Sequence, residues 1–158
     1  TAADMQRLGE RLAGLLRPGD VVIATGDLGA GKTTLTQGIG RGLGTTGRVI
    51  SPTFVLSRIH ASTTGRPRLV HVDAYRLGGP AELDDLDLDA TVADSVTVVE
   101  WGRGVAEGLA ADRLEVDIWR SPHAGGHRSD SERVVTVRPV GSRWPADSLT
   151  TLVEPDHD

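Results

Sequence analysis

Apolar positions recur along the chain in two periods. Met5, Leu8, Leu12, Leu15 and Leu16 fall on one stripe and predict a helix over Asp4–Leu16, ended by Arg17-Pro18-Gly19-Asp20. Leu35, Ile39 and Leu43, spaced by four, predict a second helix over Lys32–Leu43, stopped at Gly44. Val21–Thr25 is short, apolar and rich in β-branched residues, which predicts a buried strand. Leu69–Val72, running into Asp73, and Ser95–Val99, ending in Glu100-Trp101-Gly102, read the same way. Residues 49–62 begin irregularly at Ser51-Pro52 and continue as a strand from Phe54 to Ile59, with a turn at 63–67. Pro80–Ala90 reads as one short helix and Val105–Ala111 as another. Arg113–Trp119 and Arg133–Arg138 alternate with period two, as an antiparallel pair joined by a Gly/Ser/His loop. Residues 139–158 read as a loose acidic tail, which leaves 1–138 as a single domain.

Strands alternating with helices predict an α/β sheet with helices on both faces, closed by a C-terminal antiparallel strand pair. Ligands of such sheets bind at the carboxyl ends of the strands. Gly26–Lys32, Asp73 and Glu100 all follow strands, so they are expected on one rim.

Composition narrows the function classes. The chain has 158 residues, 38% apolar and 25% charged, which suits one globular domain with a core of its own. There are no cysteines, which excludes disulfide scaffolds, thiolate zinc sites and cysteine catalysis. No apolar run approaches the ~20 residues of a membrane span, and no signal-peptide pattern opens the chain, so a cytoplasmic address is expected. The net charge of −5 argues against nucleic-acid binding over the whole surface. Residues 77–102 carry seven acids and no base: Glu82, Asp84, Asp85, Asp87, Asp89, Asp94 and Glu100. Such a stretch is either a solvated face or a docking surface for a basic partner. Of the 17 basic residues, Lys32 alone is lysine, marking a place where a compact ammonium serves and a guanidinium fork does not.

Gly26-Asp27-Leu28-Gly29-Ala30-Gly31-Lys32-Thr33 has the spacing of a phosphate-binding loop (P-loop). Its glycines let backbone amides curl around an anion, and the helix beginning at Lys32 adds its N-terminal partial charge. With glycine near ~7% of residues, the pattern arises by chance in roughly one chain in several hundred. Lys32, on a solvent-facing loop, is then expected to reach the β- and γ-phosphates, and the Thr33 hydroxyl to hold magnesium. Asp27, Gly29, Ala30, Gly31 and Thr34 complete the candidate nucleotide contacts.

Two carboxylates join that rim. Asp73 ends an apolar strand, as a magnesium-side acid does, although an acid there also suits a turn or cap. Glu100 ends another strand. One of the two is expected to hold the metal and the other to orient the attacking water; the sequence leaves open which does which. Ser51-Pro52-Thr53 is a stiffened loop whose Thr53 hydroxyl suits a γ-phosphate-sensing switch. Trp101 reads as packing or partner contact rather than base stacking. His71, inside a strand, reads as a core or inter-strand residue rather than a ligand. His123 and His127, four apart in a Gly-rich loop, read as solvated rather than metal-ligating. Arg76 faces either phosphate charge or the nearby acids.

Taken together and in this order, these strings resemble the TsaE family of small bacterial ATPases. The match runs through Leu8-Gly9-Glu10-Arg11-Leu12-Ala13, the loop from Gly26 to Thr34, and Ser51-Pro52-Thr53-Phe54. It continues through His71-Val72-Asp73-Ala74-Tyr75-Arg76-Leu77 and Val99-Glu100-Trp101-Gly102, spanning roughly residues 5–120. The resemblance implies a P-loop NTPase-like domain that binds ATP with magnesium. Arg76 apart, the sequence offers no arginine placed to finish the γ-phosphate site in cis, so weak hydrolysis in isolation is expected. It implies a role in tRNA threonylcarbamoyladenosine synthesis beside a TsaB–TsaD partner complex, with tRNA met through that complex. By motif, Lys32 binds phosphate, Thr33 and Glu100 lie at magnesium, Asp73 is the strand-end acid, Thr53 belongs to the switch, and Trp101 lies near nucleotide or partner. Two features depart from the family pattern: Met5 stands where a threonine near the adenine is expected, and the tail has no counterpart.

Two other readings compete. A small-molecule kinase of this fold calls for an arginine-rich lid, whereas the segment after Asp73 is acidic. A nucleotide-sensing module with incidental hydrolysis differs from an ATPase only in turnover.

Overall fold

In a computed structural model, which describes residues 1–121, 132–145 and 147–152, the strands form one six-stranded sheet. The elements in chain order are α1 (Ala2–Ala13), β1 (Val21–Gly26), α2 (Lys32–Gly42), β2 (Ser57–His60) and β3 (Arg68–Asp73). Then come α3 (Pro80–Asp84), α4 (Asp89–Val92), β4 (Ser95–Glu100), β5 (Arg113–Arg120) and β6 (Arg133–Val140). The spatial order is β2-β3-β4-β1-β5-β6. The four central strands are parallel, and β2 and β6 run antiparallel at the two edges.

The alternation of side chains divides the core into two layers. Val22, Leu69, Val96, Val98, Leu114, Val116 and Ile118 face α1 and α2 and pack with Leu12, Leu35, Ile39 and Leu43. Val21, Ile23, Val70, Val72 and Val99 face the other way and are covered by Leu83, Leu88 and Ala106 from the short elements. The two long helices touch backbone to backbone. A Cβ on Gly9 would lie 2.4 Å from the Leu35 carbonyl oxygen, and one on Gly38 only 2.2 Å from that of Gln6. Only glycine fits at either position, so α2 is held at a fixed distance from α1 just behind the loop it extends.

Several predicted elements come out differently. The helix expected over Pro80–Ala90 is two, α3 and α4, because the chain turns between them with Asp87 at φ +53°. The helix expected over Val105–Ala111 is only a 3₁₀ turn, Glu107–Leu109, in a stretch that holds Gly104 and Gly108. Strand β2 starts at Ser57 rather than Phe54, because Leu56 N–H donates to the Pro52 carbonyl and closes a turn, with Leu56 at φ +66°. Phe54 and Val55 are therefore exposed in that turn.

The loose tail is corrected for residues 139–145 and 147–152. Gly141, at φ +90°, turns the chain back, and Asp112 accepts the Ser142 amide. Arg143 then donates to both oxygens of Asp20 and to the Leu15 carbonyl, with its guanidinium 4.0 Å over the Trp144 ring. Trp144 and Leu152 are buried in the α1-side core, the latter at the end of a 3₁₀ turn, Thr150–Leu152. Two large apolar residues anchor this segment whatever its net acidity. His123 and His127 lie outside the described residues.

Candidate active site

Strand register assembles the rim. Asp73 and Glu100 are partners across β3 and β4, and Glu100 pairs with Ala24 of β1, two residues before the P-loop begins. Trp101 N–H donates to the Ala24 carbonyl and Ala74 N–H to the Glu100 carbonyl, which carries the ladders just past the strand ends. The expectation of one shared rim is met.

The P-loop turns through Gly29 at φ +73° and Gly31 at φ +122°, conformations that disfavour any Cβ. No side chain caps α2 at Gly31, so the first amides of the helix face the cradle unclaimed by a cap. Lys32 is buried, not solvent-facing as the sequence suggests. Its Nζ donates to the carbonyls of Gly26 and Asp27 at 2.6 and 2.9 Å, and lies 4.1 Å over the Trp101 ring. Burial pushes its pKa below the ordinary lysine value, against the pull of Glu100, Asp73 and Asp27. Trp101 stands at φ +60°, a backbone state that costs a non-glycine residue about 1–2 kcal/mol. That conformation sets its indole against both Lys32 and Tyr75, the two rings 4.9 Å apart.

The carboxylates are both buried and both hydrogen-bonded. Thr33 Oγ1 donates to the Glu100 carboxylate, 3.0 and 3.2 Å from its two oxygens. Glu100 Oε1 also lies 2.8 Å from His71 Nε2. Asp73 Oδ2 accepts from Ser51 and Thr53 hydroxyls at 3.0 and 3.1 Å, while Oδ1 accepts the Tyr75 amide. The Ser-Pro-Thr segment is thus tied to the strand-end acid. Arg76 is aimed at neither phosphate space nor the acidic stretch: its guanidinium lies 4.8 Å over the exposed Phe54 ring.

A depression of about 370 Å³ collects Gly29, Gly31, Lys32, Thr33, Thr34, Ser51, Thr53, Asp73, Glu100 and Trp101. Of the candidate residues, Asp27 and Ala30 lie outside it, Asp27 contributing its backbone carbonyl and Ala30 lying buried beneath the loop. A second groove of about 760 Å³ opens between α1 and β6, lined by Met5, Leu8, Val135 and Val137, with Arg133 at one side. The Met5 methyl closes under the P-loop, 3.3 Å from where a Gly31 Cβ would stand.

Sequence reasoning missed three residues here. Arg120 donates to the Gly29 carbonyl, and Arg133 Nε to that of Ala30 at 2.7 Å. For His71 the sequence gives a core or inter-strand residue, which its burial bears out, but not its contact with Glu100. Its signal was parity: in β3, residues 69, 71 and 73 share a face, so a histidine two before the acid points the same way. The two arginines carried a weaker signal, standing at the facing ends of the paired strands.

Comparison with known proteins agrees with this geometry. Residues 1–129 match the family model of the threonylcarbamoyl adenosine biosynthesis protein TsaE. The tRNA threonylcarbamoyladenosine biosynthesis protein TsaE of Streptomyces coelicolor is 55% identical over 94% of this chain and 99% of its own length. The Bacillus subtilis protein of the same name is 41% identical over 84% of this chain and 77% of its own. A crystal structure of Bacillus subtilis YdiB superposes with a TM-score of 0.73 at 32% identity, covering 96% of this chain and 88% of that one. A P-loop sheet of this topology, with relatives this similar over nearly the whole chain, places the protein in the TsaE family of tRNA threonylcarbamoyladenosine biosynthesis.

Proposed function

We propose that the chain is a magnesium-dependent ATPase, slow on its own, that serves threonylcarbamoylation of tRNA adenosine by acting on a TsaB–TsaD partner complex in the cytoplasm. The observation that carries this reading is the hydrogen bond from Thr33 to Glu100, beside Asp73 and the P-loop lysine.

The donor set suits magnesium. That ion takes hard oxygen ligands, keeps several waters, and uses one or two carboxylates with substrate phosphates rather than a closed protein cage. Thr33 and Glu100 are the residues that would hold it. When bound, magnesium neutralises charge developing on the β- and γ-phosphate oxygens.

The chain's own groups do the rest. Lys32 exchanges its two carbonyl partners for phosphate oxygens. P-loop amides and the start of α2 hold the phosphate chain. Asp73 already binds the Thr53 hydroxyl, which suits it to orient the attacking water and to report γ-phosphate to the Ser51–Phe54 segment. The apolar groove beneath Met5 gives a nucleoside room next to the loop. Among the described residues no arginine lines the depression; without such a group in-line transfer is slow, and a partner that completes the site is worth roughly a thousandfold or more.

The test is ATP turnover by the protein alone and with the partner pair, with and without magnesium. Magnesium-dependent hydrolysis that rises with the partners is expected. Tight ATP binding with no turnover in either setting would favour a pure sensing module, and transfer of phosphate to a small molecule would favour a kinase.

A further inference from the structure

One buried polar side chain beside this rim takes no part in the nucleotide and magnesium contacts proposed. His71 is wholly buried, on the α2 face of β3, directly across from Val98 and two residues inside the Asp73–Glu100 pair. Its Nε2 lies 2.8 Å from Glu100 Oε1, and the same carboxylate receives the Thr33 hydroxyl from the α2 side. A hydrogen on Nε2 makes this contact a hydrogen bond donated to the Glu100 carboxylate. His71 Nδ1 is buried and has no partner among the described residues, so nothing there holds a hydrogen in the other tautomer.

We propose that His71 is a positioning residue: its Nε2–H fixes the Glu100 carboxylate in the rotamer that meets Thr33, so that these two oxygen donors stand ready for magnesium. This rests on the magnesium–ATP reading. A glutamate at a strand end has three side-chain torsions, and a single hydroxyl contact from one side leaves it free to swing. Donors from two different elements, β3 and α2, remove that freedom before any ligand arrives. Partners that orient a metal-binding group in this way typically contribute ten- to a hundredfold to metal affinity.

Two measurements on the folded protein test it. The first is the nitrogen NMR spectrum of the histidine rings in the wild-type chain, with His71 assigned by its loss in His71→Gln. The Nε2–H tautomer is expected; a dominant Nδ1–H tautomer overturns the proposal, because that ring has no hydrogen to give Glu100. The second is the affinity for a fluorescent, non-hydrolysable ATP analogue, with and without magnesium, in His71→Leu and His71→Gln. Leucine keeps the volume and removes the donor, while the glutamine amide nitrogen takes the Nε2 position. His71→Leu should weaken magnesium-dependent binding about tenfold, leave magnesium-free binding within twofold, and be largely rescued by glutamine. Equal loss with and without magnesium, no loss, or no rescue by glutamine would each overturn it. If His71→Leu does not fold, the tautomer and the glutamine variant still decide. A wild-type protein whose nucleotide affinity ignores magnesium is a different result: it defeats the ATPase reading, while the tautomer still judges the hydrogen bond.

Discussion

Arg120 and Arg133 face each other across β5 and β6, and each ends on a carbonyl oxygen of the P-loop, Arg120 on Gly29 and Arg133 on Ala30. A trans peptide carries its C=O and N–H on opposite sides. Holding the Ala30 carbonyl outward therefore turns the Gly31 N–H toward the cradle. The antiparallel edge pair is thus a brace for the loop as well as a sheet edge. Hydrogen bonds from charged groups contribute about 1.5–3 kcal/mol when shielded and less at the surface. Arg133→Ala is expected to weaken ATP affinity roughly five- to tenfold and to lower stability by about 1 kcal/mol, with Arg120→Ala milder on both. Nucleotide titration and denaturant unfolding of the two variants check this.

Lys32→Ala should abolish measurable ATP binding yet leave a folded chain. The lysine is buried, but its ammonium faces the Gly26 and Asp27 carbonyls at the loop rim, where water can replace it. The same burial gives a pH signature. Phosphate binding needs the charged form, and the folded-state pKa is depressed below 10.5. Affinity should therefore fall as pH rises through that depressed value, before an ordinary lysine would titrate. The linkage has the opposite sign for folding: the unfolded chain holds this proton more tightly, so Lys32 makes stability rise with pH between the folded and unfolded values. A titration series at alkaline pH, with Trp101→Leu to open the cage, tests both the onset and its cause. The onset should move up in the variant.

Much of this was legible from sequence, for reasons that differ by residue. The P-loop, Asp73 and Glu100 were readable because they sit where strands end, and a parallel sheet brings strand ends to one rim. The turn at Leu56 and the break between α3 and α4 were not, since each depends on a positive φ in a residue that is not glycine. The tail misled because composition was acidic, while two side chains, Trp144 and Leu152, decide its docking. His71 shares a face with Asp73 by parity, but its meeting with Glu100, like the arginine brace, depends on register, which a single sequence does not carry.

Asp73→Asn and Glu100→Gln should each cut turnover well over tenfold with a smaller effect on ATP affinity, since groups aimed at developing charge are commonly worth ~3–4 kcal/mol. Their signatures should differ. Glu100, on Thr33, should also cost the magnesium dependence of binding. Asp73, on Ser51 and Thr53, should instead uncouple the switch, leaving magnesium dependence intact. Turnover and magnesium titrations of both variants separate them. Unchanged hydrolysis in both would remove the paired carboxylates from the reaction.

The acidic stretch is the surface we expect a partner to read. Leu83 and Leu88 anchor α3 and α4 in the core, which turns Glu82, Asp84, Asp85, Asp87 and Asp89 outward. The other six acids of residues 77–102, Glu100 apart, are all exposed, and Asp94 is held by Arg68 at 2.9 Å. Each exposed acid repels its neighbours, and a solvated face has no need to concentrate Glu82, Asp84, Asp85, Asp87 and Asp89 within residues 82–89. A basic partner surface relieves that repulsion, and such pairing acts mainly on association rate and weakens with salt. Asp84→Lys and Asp85→Lys reverse charge on exposed backbone of ordinary conformation. Asp87, at φ +53°, is better changed to asparagine, which tolerates that state. The triple variant should bind the TsaB–TsaD pair about tenfold or more weakly at low salt, with the gap closing as ionic strength rises and with ATP affinity unchanged. Titration with the partner pair in ATP and in ADP reads both effects. Equal binding of wild type and variant would take the acidic stretch out of the interface, and equal binding in the two nucleotides would take Thr53 and Asp73 out of the switch.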